Sequence, residues 1–378
     1  MKPKILYVID NLEFGGGEQG FAQLAGALRD RYEILFACQP GGLLAERLKQ
    51  IGIRIRPLDF RRQVSPSRII RLMAMIKEEG IHLVHTTGAR ADFYTRIAAR
   101  LAGAPVVVST ITMLVEGYEV SSLKRTLYRA AIRLSERYCD GFIAVSNAVR
   151  RVLVEDHRIP TANVVMIHNS GIELDTFKPD GRDGLELRRE LDLHPEGPIV
   201  GTIGRLVYQK AYDVFLRAAS LVLRAVPDAQ FVIVGEGPLR PTLERMKDDL
   251  GLHTCRFAGF RSDIPNMLSL MDVFALASIL EGSPVVILEA LGAVRPIVAT
   301  RINGVTDVVQ HGVTGLLVPP GDPAALADAI VSLLKDRELS CRLAEAGQKL
   351  VEERFALRRM VEEVDRFYTT LLQKKGTC

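Results

Sequence analysis

Short apolar runs rich in β-forming residues alternate with helical patterns along nearly the whole sequence, and this alternation constrains the fold more than any other feature. The first block has candidate strands at residues 4–9, 33–38, 53–57, 82–86, 105–110, 141–145 and 163–167. The second block has them at residues 199–203, 230–234, 254–258, 272–276, 296–299 and 315–318. Apolar strands separated by helices are typical of parallel sheets covered on both faces. The sequence therefore predicts an α/β protein with two doubly wound, Rossmann-like domains.

The apolar pattern lapses between residues 175 and 198, where charged residues, glycine and proline dominate, and we interpret this stretch as an interdomain linker. The predicted domains are residues 1–175 and 176–354, followed by a C-terminal segment, 355–378. An amphipathic helix over 355–373 must cover something: either its own domain or, by crossing back, the first domain. Because open α/β sheets bind ligands at the carboxyl ends of their strands, we expect a central cleft there between two facing domains.

Composition excludes several classes of protein. The chain has 378 residues, 48% hydrophobic and 25% charged, with a net charge of +4, which is too small an excess to indicate nucleic-acid binding. The five cysteines are scattered without a C-x-x-C pair, which favours a reducing compartment over zinc or disulfide chemistry. The N-terminus predicts a first strand rather than a signal peptide, and no apolar run reaches membrane-spanning length. We expect a cytoplasmic protein, or one at the inner face of the membrane.

The segment LEGSPVVILEALGAVRPI, residues 280–297, places two glutamates around a predicted helix over 284–294 that is otherwise small and apolar. Ser283 can cap this helix and Pro284 suits its first position, with Glu281 in the preceding loop and Glu289 in the second turn. A helix start attracts phosphate, and two carboxylates can hold hydroxyls, so the segment indicates a sugar nucleotide. The alternative is that Glu289 pairs with a buried arginine.

Glycines and cations supply a second set of candidate phosphate contacts. Gly16 and Gly17 precede a helix after the first strand and allow close approach of a diphosphate to backbone N–H groups. The G-x-G-x-x-G fingerprint of NAD-binding domains is absent. In the second block the strand IVGTIG leads into Arg205 and Lys210, cations suited to neutralising a diphosphate leaving group. The sequence has no D-x-D motif to hold a metal, so we expect neither a metal nor another cofactor.

Seven motifs in order resemble the retaining GT-B glycosyltransferases of glycosyltransferase family 4, over nearly the whole chain. They are GGGE, HNSGIELDTF, IGRLVYQK, VGEGP, FAGFRSDIP, EGSPVVILEA and HGVTGLLVPPGD. The resemblance implies that Glu281 contacts the donor sugar, that Glu289 holds the ribose, and that Arg205 and Lys210 bind the diphosphate. It also favours the crossing position for the C-terminal helix. The donor-binding residues that it implies besides Glu289 are Gly16, Gly17, Gly204, Phe260, Arg261, Gly282, Ser283 and Pro284.

Departures from the family pattern concern the acceptor and sugar side. The family often has His-x-His where this chain has His85 followed by two threonines, and usually a histidine where this chain has Thr112. We place His85 and Thr112 on that side of the site, and the missing histidine puts turnover rate, sugar preference or catalysis itself in question. Ala211 and Val294 replace family glycines, which we interpret as packing adjustments.

The resemblance predicts a metal-independent hexosyltransferase of polysaccharide biosynthesis that moves a sugar, with retention, from a UDP-sugar to a glycan or lipid-linked saccharide. The leaving diphosphate would accept the proton of the incoming hydroxyl, and Glu281 would orient the sugar. The alternative is a catalytically weak sugar-nucleotide-binding protein of the same fold. An epimerase or a phosphorylase would share the architecture. The Glu281/Glu289 spacing disfavours the epimerase, and the absence of an evident cofactor lysine disfavours the phosphorylase. The base, the sugar, the acceptor and the oligomeric state stay open.

Residues 121–138, SSLKRTLYRAAIRLSERY, combine a stripe of leucines with lysine and arginine. A basic amphipathic helix of this kind can lie on an anionic membrane and reach a lipid-linked acceptor. The competing interpretation is an ordinary surface helix, with its leucines in the core and a solvated basic flank.

Overall fold

The computed structural model describes residues 2–10, 16–60, 66–112, 121–168, 171–174, 184–282 and 284–376. The chain divides into two compact units, which we call unit 1 (Met1–Gly171 with Leu357–Cys378) and unit 2 (Ile172–Ala356). The division falls between Gly171 and Ile172, whereas the sequence placed it after residue 175.

Unit 1 is built on a parallel sheet because its strands are apolar on both faces, and within the described residues seven strands pair in the order β3-β2-β1-β4-β5-β6-β7. The strands are β1 (Lys4–Ile9), β2 (Glu33–Cys38), β3 (Arg54–Pro57), β4 (Leu83–Thr87), β5 (Val106–Ile111), β6 (Gly141–Ala144) and β7 (Val164–Met166). The helices between them are α1 (Gly16–Leu28), α2 (Leu43–Gln50), α3 (Ser67–Glu79), α4 (Ala89–Ala102), α5 (Ser122–Glu136) and α6 (Asn147–Arg151). A π-helical turn, Val152–Asp156, continues α6.

The C-terminal helix α14 (Leu357–Lys374) belongs to unit 1, so the chain returns to this unit after completing unit 2. Its apolar side, which includes Met360, Val364 and Phe367, joins the same core cluster as β1. The buried Tyr368 hydroxyl lies 3.0 Å from the Tyr7 hydroxyl at the centre of this cluster. The helix therefore packs on the core of unit 1.

Unit 2 repeats the architecture, and its described residues form six parallel strands in the order β10-β9-β8-β11-β12-β13. The strands are β8 (Ile199–Ile203), β9 (Gln230–Val234), β10 (Cys255–Gly259), β11 (Val273–Leu276), β12 (Ile297–Thr300) and β13 (Leu316–Val318). The helices are α7 (Gly184–Glu190), α8 (Tyr212–Ala225), α9 (Arg240–Asp249), α10 (Ile264–Ser269), α11 (Val285–Gly292), α12 (Pro323–Lys335) and α13 (Arg337–Arg354). The prediction of an α/β protein with two Rossmann-like units is confirmed.

The predicted linker over residues 175–198 is wrong for its second half, while residues 175–183 lie outside the described chain. Helix α7 occupies part of this stretch, and Leu187, Leu191 and Leu193 are buried in the core of unit 2. The Arg188 guanidinium donates to the carbonyl of Gly197 at 3.1 Å and thereby ties the segment down. The sequence prediction missed α7 because charged residues surround its few leucines, although these leucines pack in the core of unit 2.

Candidate functional site

The candidate site of unit 2 lies at the carboxyl edge of its sheet, where the strand order reverses. Strands β8 and β11 are neighbours in the sheet although two strands, β9 and β10, lie between them in the sequence. Helices that follow two such strands leave toward opposite faces of the sheet, which opens a crevice between the strand ends. Gly204 and Arg205 follow β8, and Ser278 and Glu281 follow β11. The sequence-predicted residues of these two segments therefore share one edge.

Lys210 and Glu281 form the central contact of this edge. The Lys210 Nζ donates to Glu281 Oε1 at 2.6 Å, and the two side chains are only 15% and 8% exposed. The buried Ser278 hydroxyl donates to the same oxygen, also at 2.6 Å. Both donors converge on Oε1, so the cation predicted for the diphosphate and the acid predicted for the sugar are directly paired.

Backbone contacts hold the segments that carry this pair. The Tyr212 hydroxyl donates to the Gly204 carbonyl at 2.9 Å, which fixes the turn after β8 to the start of α8. The buried Thr300 hydroxyl donates to the Ser278 carbonyl. Gly304 has φ +84°, and a Cβ there would lie 2.8 Å from the Glu281 carbonyl and 2.7 Å from that of Gly282, so only glycine fits against the Glu281 loop.

Helix α11 begins at Val285, with Pro284 at the N-cap position, one residue earlier in the motif than its predicted place as the first helical residue. Ser283, the predicted cap, lies outside the described residues. Glu289 falls in the second turn as predicted, and it is 8% exposed. Burial raises the pKa of Glu289 to about 7, since desolvation penalises its charged form.

The alternative in which Glu289 pairs with a buried arginine is not what the structure shows, because no cation of the described chain forms an ion pair with this carboxylate. A buried carboxylate costs free energy unless it is paired or hydrogen-bonded. The ionised Glu289 carboxylate therefore destabilises the folded chain. A buried acid with a shifted pKa is typical of a binding or catalytic site.

Other donor-side predictions lie on neighbouring strand ends. Arg205 is exposed at the end of β8, and Phe260, 60% exposed, follows β10. The Arg261 guanidinium makes a two-pronged contact with Asp263, with both N···O distances 2.7 Å, and also contacts Glu190. These carboxylates raise the pKa of Arg261 above its ordinary value. The Arg261 side chain is thus paired with two acids, while the resemblance implies that the backbone of Phe260 and Arg261 borders the base.

Two family glycine positions have left-handed backbone in this chain. Ala211 has φ 47° and Val294 has φ 57°, a region that side chains with a Cβ enter at a cost. The interpretation of both residues as packing adjustments therefore left out the positive φ, which is the physical reason for a glycine at each position. No sequence periodicity signals such a dihedral angle.

Unit 1 presents fewer of the predicted residues at its edge. Gly16 and Gly17 form the first turn of α1, two residues before the predicted helix start. Thr112 directly follows β5 at the carboxyl edge of the sheet and is partly exposed. Thr112 therefore lies at the edge of the sheet where loops that carry function are expected.

The prediction that His85 faces the acceptor or sugar is corrected by the structure. His85 lies in the middle of β4 with 1% exposure, and its ring is hydrogen-bonded to the Tyr368 hydroxyl and, at 2.7 Å, to Thr110 Oγ1. Burial lowers the pKa of His85 to about 3, so the imidazole is neutral at physiological pH. It is a core histidine that contacts the C-terminal helix.

Sequence reasoning missed Asp10, which is buried at the carboxyl end of β1. Its Oδ2 accepts from the backbone N–H groups of Arg90 and Ala91, at 2.9 and 3.3 Å, and so caps α4. Gly88 stands against this carboxylate, since a Cβ at that glycine would lie 1.9 Å from Asp10 Oδ1. The available signal was an acid at the end of the first strand, at the point where the strand order of unit 1 reverses.

We found no group of three or more His, Cys, Asp or Glu side chains placed to hold a metal ion within the described ranges. In the same ranges no helix is long and apolar enough to span a bilayer.

Solved structures define the class of this fold. HepE from Anabaena, in a crystal structure of its complex with UDP and glucose, is 24% identical to this chain and matches it with a TM-score of 0.86, over 97% of this chain and 100% of its own. Sucrose-phosphate synthase from Thermosynechococcus elongatus, 19% identical, matches with a TM-score of 0.79 over 99% of this chain and all of its own. The two Rossmann-like units are those of the GT-B glycosyltransferases.

Sequence comparison then gives the family. Residues 197–336 match the family described as glycosyl transferases group 1, and residues 15–170 match the glycosyl transferase 4-like domain. The Escherichia coli UDP-Gal:alpha-D-GlcNAc-diphosphoundecaprenol alpha-1,3-galactosyltransferase is 30% identical over 92% of this chain and 91% of its own length. The chain belongs to the group 1 glycosyl transferases, family 4, and is a glycosyltransferase.

A second relative uses another nucleotide. The Mycobacterium tuberculosis GDP-mannose-dependent alpha-(1-6)-phosphatidylinositol monomannoside mannosyltransferase is 31% identical over 76% of this chain and 75% of its own length. Relatives at similar identity therefore differ in base, sugar and acceptor.

Proposed function

We propose that this glycosyltransferase moves a hexose from a nucleotide-diphosphate donor, a UDP-sugar, to a hydroxyl acceptor with retention at the anomeric carbon. The observation that carries the proposal is the Lys210–Glu281 pair at the strand-order reversal of unit 2, 2.6 Å between Nζ and Oε1. It joins one group suited to phosphate and one suited to sugar hydroxyls at the place where α/β sheets bind ligands.

Different side chains of unit 2 bind different parts of the nucleotide-sugar donor. Arg205 and Lys210 neutralise the diphosphate, for which Lys210 exchanges its Glu281 partner for a phosphate oxygen. Glu281 then accepts hydrogen bonds from sugar hydroxyls, while Ser278 keeps its carboxylate in place. Glu289, from the second turn of α11, accepts from the ribose hydroxyls, and this contact offsets part of the cost of its burial.

The chemical step is a substitution on one face of the sugar. The bond between the anomeric carbon and the diphosphate oxygen breaks, and the acceptor hydroxyl oxygen bonds to the same carbon from the same side. The acceptor proton passes to the departing phosphate oxygen, so no protein nucleophile is needed. Arg205 and Lys210 stabilise the negative charge that develops on that oxygen, a role that does not require a metal.

The acceptor is a glycan or a lipid-linked saccharide. The two relatives described above are named for a diphosphoundecaprenol-linked and a phosphatidylinositol-linked acceptor. We place the protein in the cytoplasm, at the inner face of the membrane, with peripheral membrane contact through residues 121–138 and without a nucleic-acid partner.

Nucleotide release tests the proposal. The protein is incubated with UDP- and GDP-sugars and with polyprenyl-diphosphate-linked saccharides, with and without a chelator, and the anomeric configuration of any product is read by NMR. We expect acceptor-dependent release of UDP, insensitivity to chelator and a retained configuration. Lys210→Ala should abolish transfer, whereas the exposed Lys335→Ala, at the end of α12, serves as the matched control.

The competing function is that of a catalytically weak sugar-nucleotide-binding protein, and Thr112, in place of the family histidine, is the observation that favours it. Saturable binding of a UDP-sugar without release of nucleotide by any acceptor would support that function and contradict ours.

A further inference from the structure

The two edge strands of the unit 1 sheet, β3 and β7, differ in composition. In β3, of sequence RIRP, Arg54 and Arg56 pair with Glu79 at 3.1 and 3.2 Å, and Pro57 ends the strand. Charged side chains and proline on an edge strand hinder its pairing with another chain. Strand β7, of sequence VVM, carries neither a charged residue nor a proline. The edge at β3 is therefore protected, whereas the composition of β7 leaves its edge open to pairing.

The backbone of β7 directs polar groups away from the sheet. Just after β7, the Ile167 N–H donates to the Ala144 carbonyl of β6 at 3.0 Å. Backbone groups of successive strand residues point to opposite sides, so the N–H and C=O of Met166 point away from β6. The side chains follow the same alternation, with Val164 and Val165 in core clusters on opposite faces of the sheet. Met166 thus presents a donor and an acceptor at the free edge.

A groove of about 370 Å³ lies between β7 and helix α14. Residues 165–167 all line it, which places the groove at the outer edge of the strand, since alternate side chains belong to opposite faces. Phe367 and Leu371 line it with buried apolar side chains, and Arg366 and Lys374 line it with exposed cations. An open groove between an edge strand and a helix suits an extended peptide that binds as an added strand.

The charge of the groove indicates which peptide fits. Within the described residues, the ion pairs of α14 do not include Arg366 or Lys374, and Glu363, which also lines the groove, is paired with Arg359 at 3.3 Å. The two cations lie eight residues apart on the helix, a rise of about 12 Å, which an extended chain spans in about four residues. Acidic side chains four positions apart, on one face of a strand, match this spacing.

We infer that the groove between β7 and α14 binds an extended acidic segment of a partner protein as an additional strand of the unit 1 sheet. Main-chain hydrogen bonds to Met166 hold the segment, while Arg366 and Lys374 select its acidic side chains. The inference does not depend on the proposed function, because the groove contains none of the residues assigned to sugar transfer.

Fluorescence anisotropy of a labelled peptide with the full chain tests the inference. The peptide has seven residues, with valine at the odd positions, threonine at the fourth and glutamate at the second and sixth; the reference peptide has lysine in place of glutamate. We expect the acidic peptide to bind at least about tenfold more tightly, by a margin that shrinks with added salt. Hydrogen exchange should show new protection of the Met166 amide in the complex.

Variants separate charge from backbone pairing. The double variant Arg366→Glu and Lys374→Glu should lower the affinity for the acidic peptide by at least about tenfold. The control is Arg358→Glu, since Arg358 is exposed on α14 but outside the groove, and this variant should bind like the unaltered chain. Met166→Pro removes the outward N–H at an edge position that tolerates proline, and it should also weaken binding. Urea midpoints show whether each variant is folded.

Several outcomes would overturn the inference. They are an absence of peptide binding, equal affinity for the acidic and the basic peptide, and binding without added protection of Met166. A concentration-dependent dimer that the double variant dissociates would also overturn it, because the groove would then hold a second copy of this chain. The charge variants decide the matter even if Met166→Pro does not fold, since both altered side chains are exposed.

Discussion

Replacement of Glu289 by glutamine should stabilise the free protein above neutral pH while weakening its affinity for nucleotide. The glutamate is 8% exposed, and burial raises its pKa from the ordinary value of 4.5 to about 7. Glutamine has nearly the same shape and cannot ionise. The variant therefore removes the cost of a buried charge and changes packing little.

The size of the effect follows from linkage. A pKa of about 7 in the folded chain, against 4.5 when unfolded, corresponds to about 3 kcal/mol, since one pKa unit is worth about 1.4 kcal/mol. The folded state disfavours the ionised form, so this stability is present in full below about pH 4.5 and is lost as the pH rises to 7. Glu289→Gln should match the unaltered chain near pH 4.5 and exceed it by up to about 3 kcal/mol near pH 8.

Hydrogen exchange of the β11 and β12 amides measures this free energy within unit 2, without a contribution from unit 1. The control is Glu345→Gln, because Glu345 is exposed on α13 and its replacement should show no comparable pH dependence. The reasoning fails if Glu289→Gln gives the same change at both pH values, or if it destabilises the chain near pH 8. Undiminished affinity for UDP in the variant would remove the proposed ribose contact.

Three further predictions concern single groups. Ser278→Ala should slow transfer by roughly tenfold to a hundredfold with little change in nucleotide affinity, because the Glu281 carboxylate loses a donor that positions it. Steady-state kinetics that separate kcat from KM measure this effect, and Ser278→Thr should recover the activity. Val294→Gly should raise the free energy of unfolding by about 1 kcal/mol, because it relieves a left-handed φ. Ala293→Gly, at a residue with φ −80°, should lower that free energy, and urea denaturation measures both variants. Tyr368→Phe should cost about 1–3 kcal/mol, since two buried polar groups of unit 1 lose their partner on α14; an unchanged urea midpoint would contradict this.

The strands of both sheets were largely predictable, because the sequence of a buried parallel strand is a short apolar run. Strands β1, β2, β8 and β9 begin and end at the predicted residues, and the remaining strands differ by one residue at one end or at both ends. Helix ends were less predictable, since capping depends on local geometry as well as residue type. The segment around α7 was missed because three core leucines are scattered among charged residues.

The donor-side cluster was predictable in its members because its residues follow strand ends that parallel pairing brings to one edge. The Lys210–Glu281 pair joins two of those members, but the convergence of Ser278 on the same oxygen is a contact between distant segments that spacing does not encode. His85 shows the converse failure. His85 lies in mid-strand, where its ring contacts Thr110 on the neighbouring strand and Tyr368 on α14, and the sequence gives no sign of these distant contacts.

The most direct test of the central claim is calorimetric comparison of UDP with UMP, and of GDP with GMP, on the unaltered chain, Lys210→Ala and Lys335→Ala. If Lys210 leaves Glu281 to hold the diphosphate, the unaltered chain and Lys335→Ala should bind the diphosphate of one base at least about tenfold more tightly than its monophosphate. In Lys210→Ala this ratio should fall markedly, with Arg205 accounting for the preference that remains. An unchanged ratio in Lys210→Ala would show that the cation of this pair does not hold the donor.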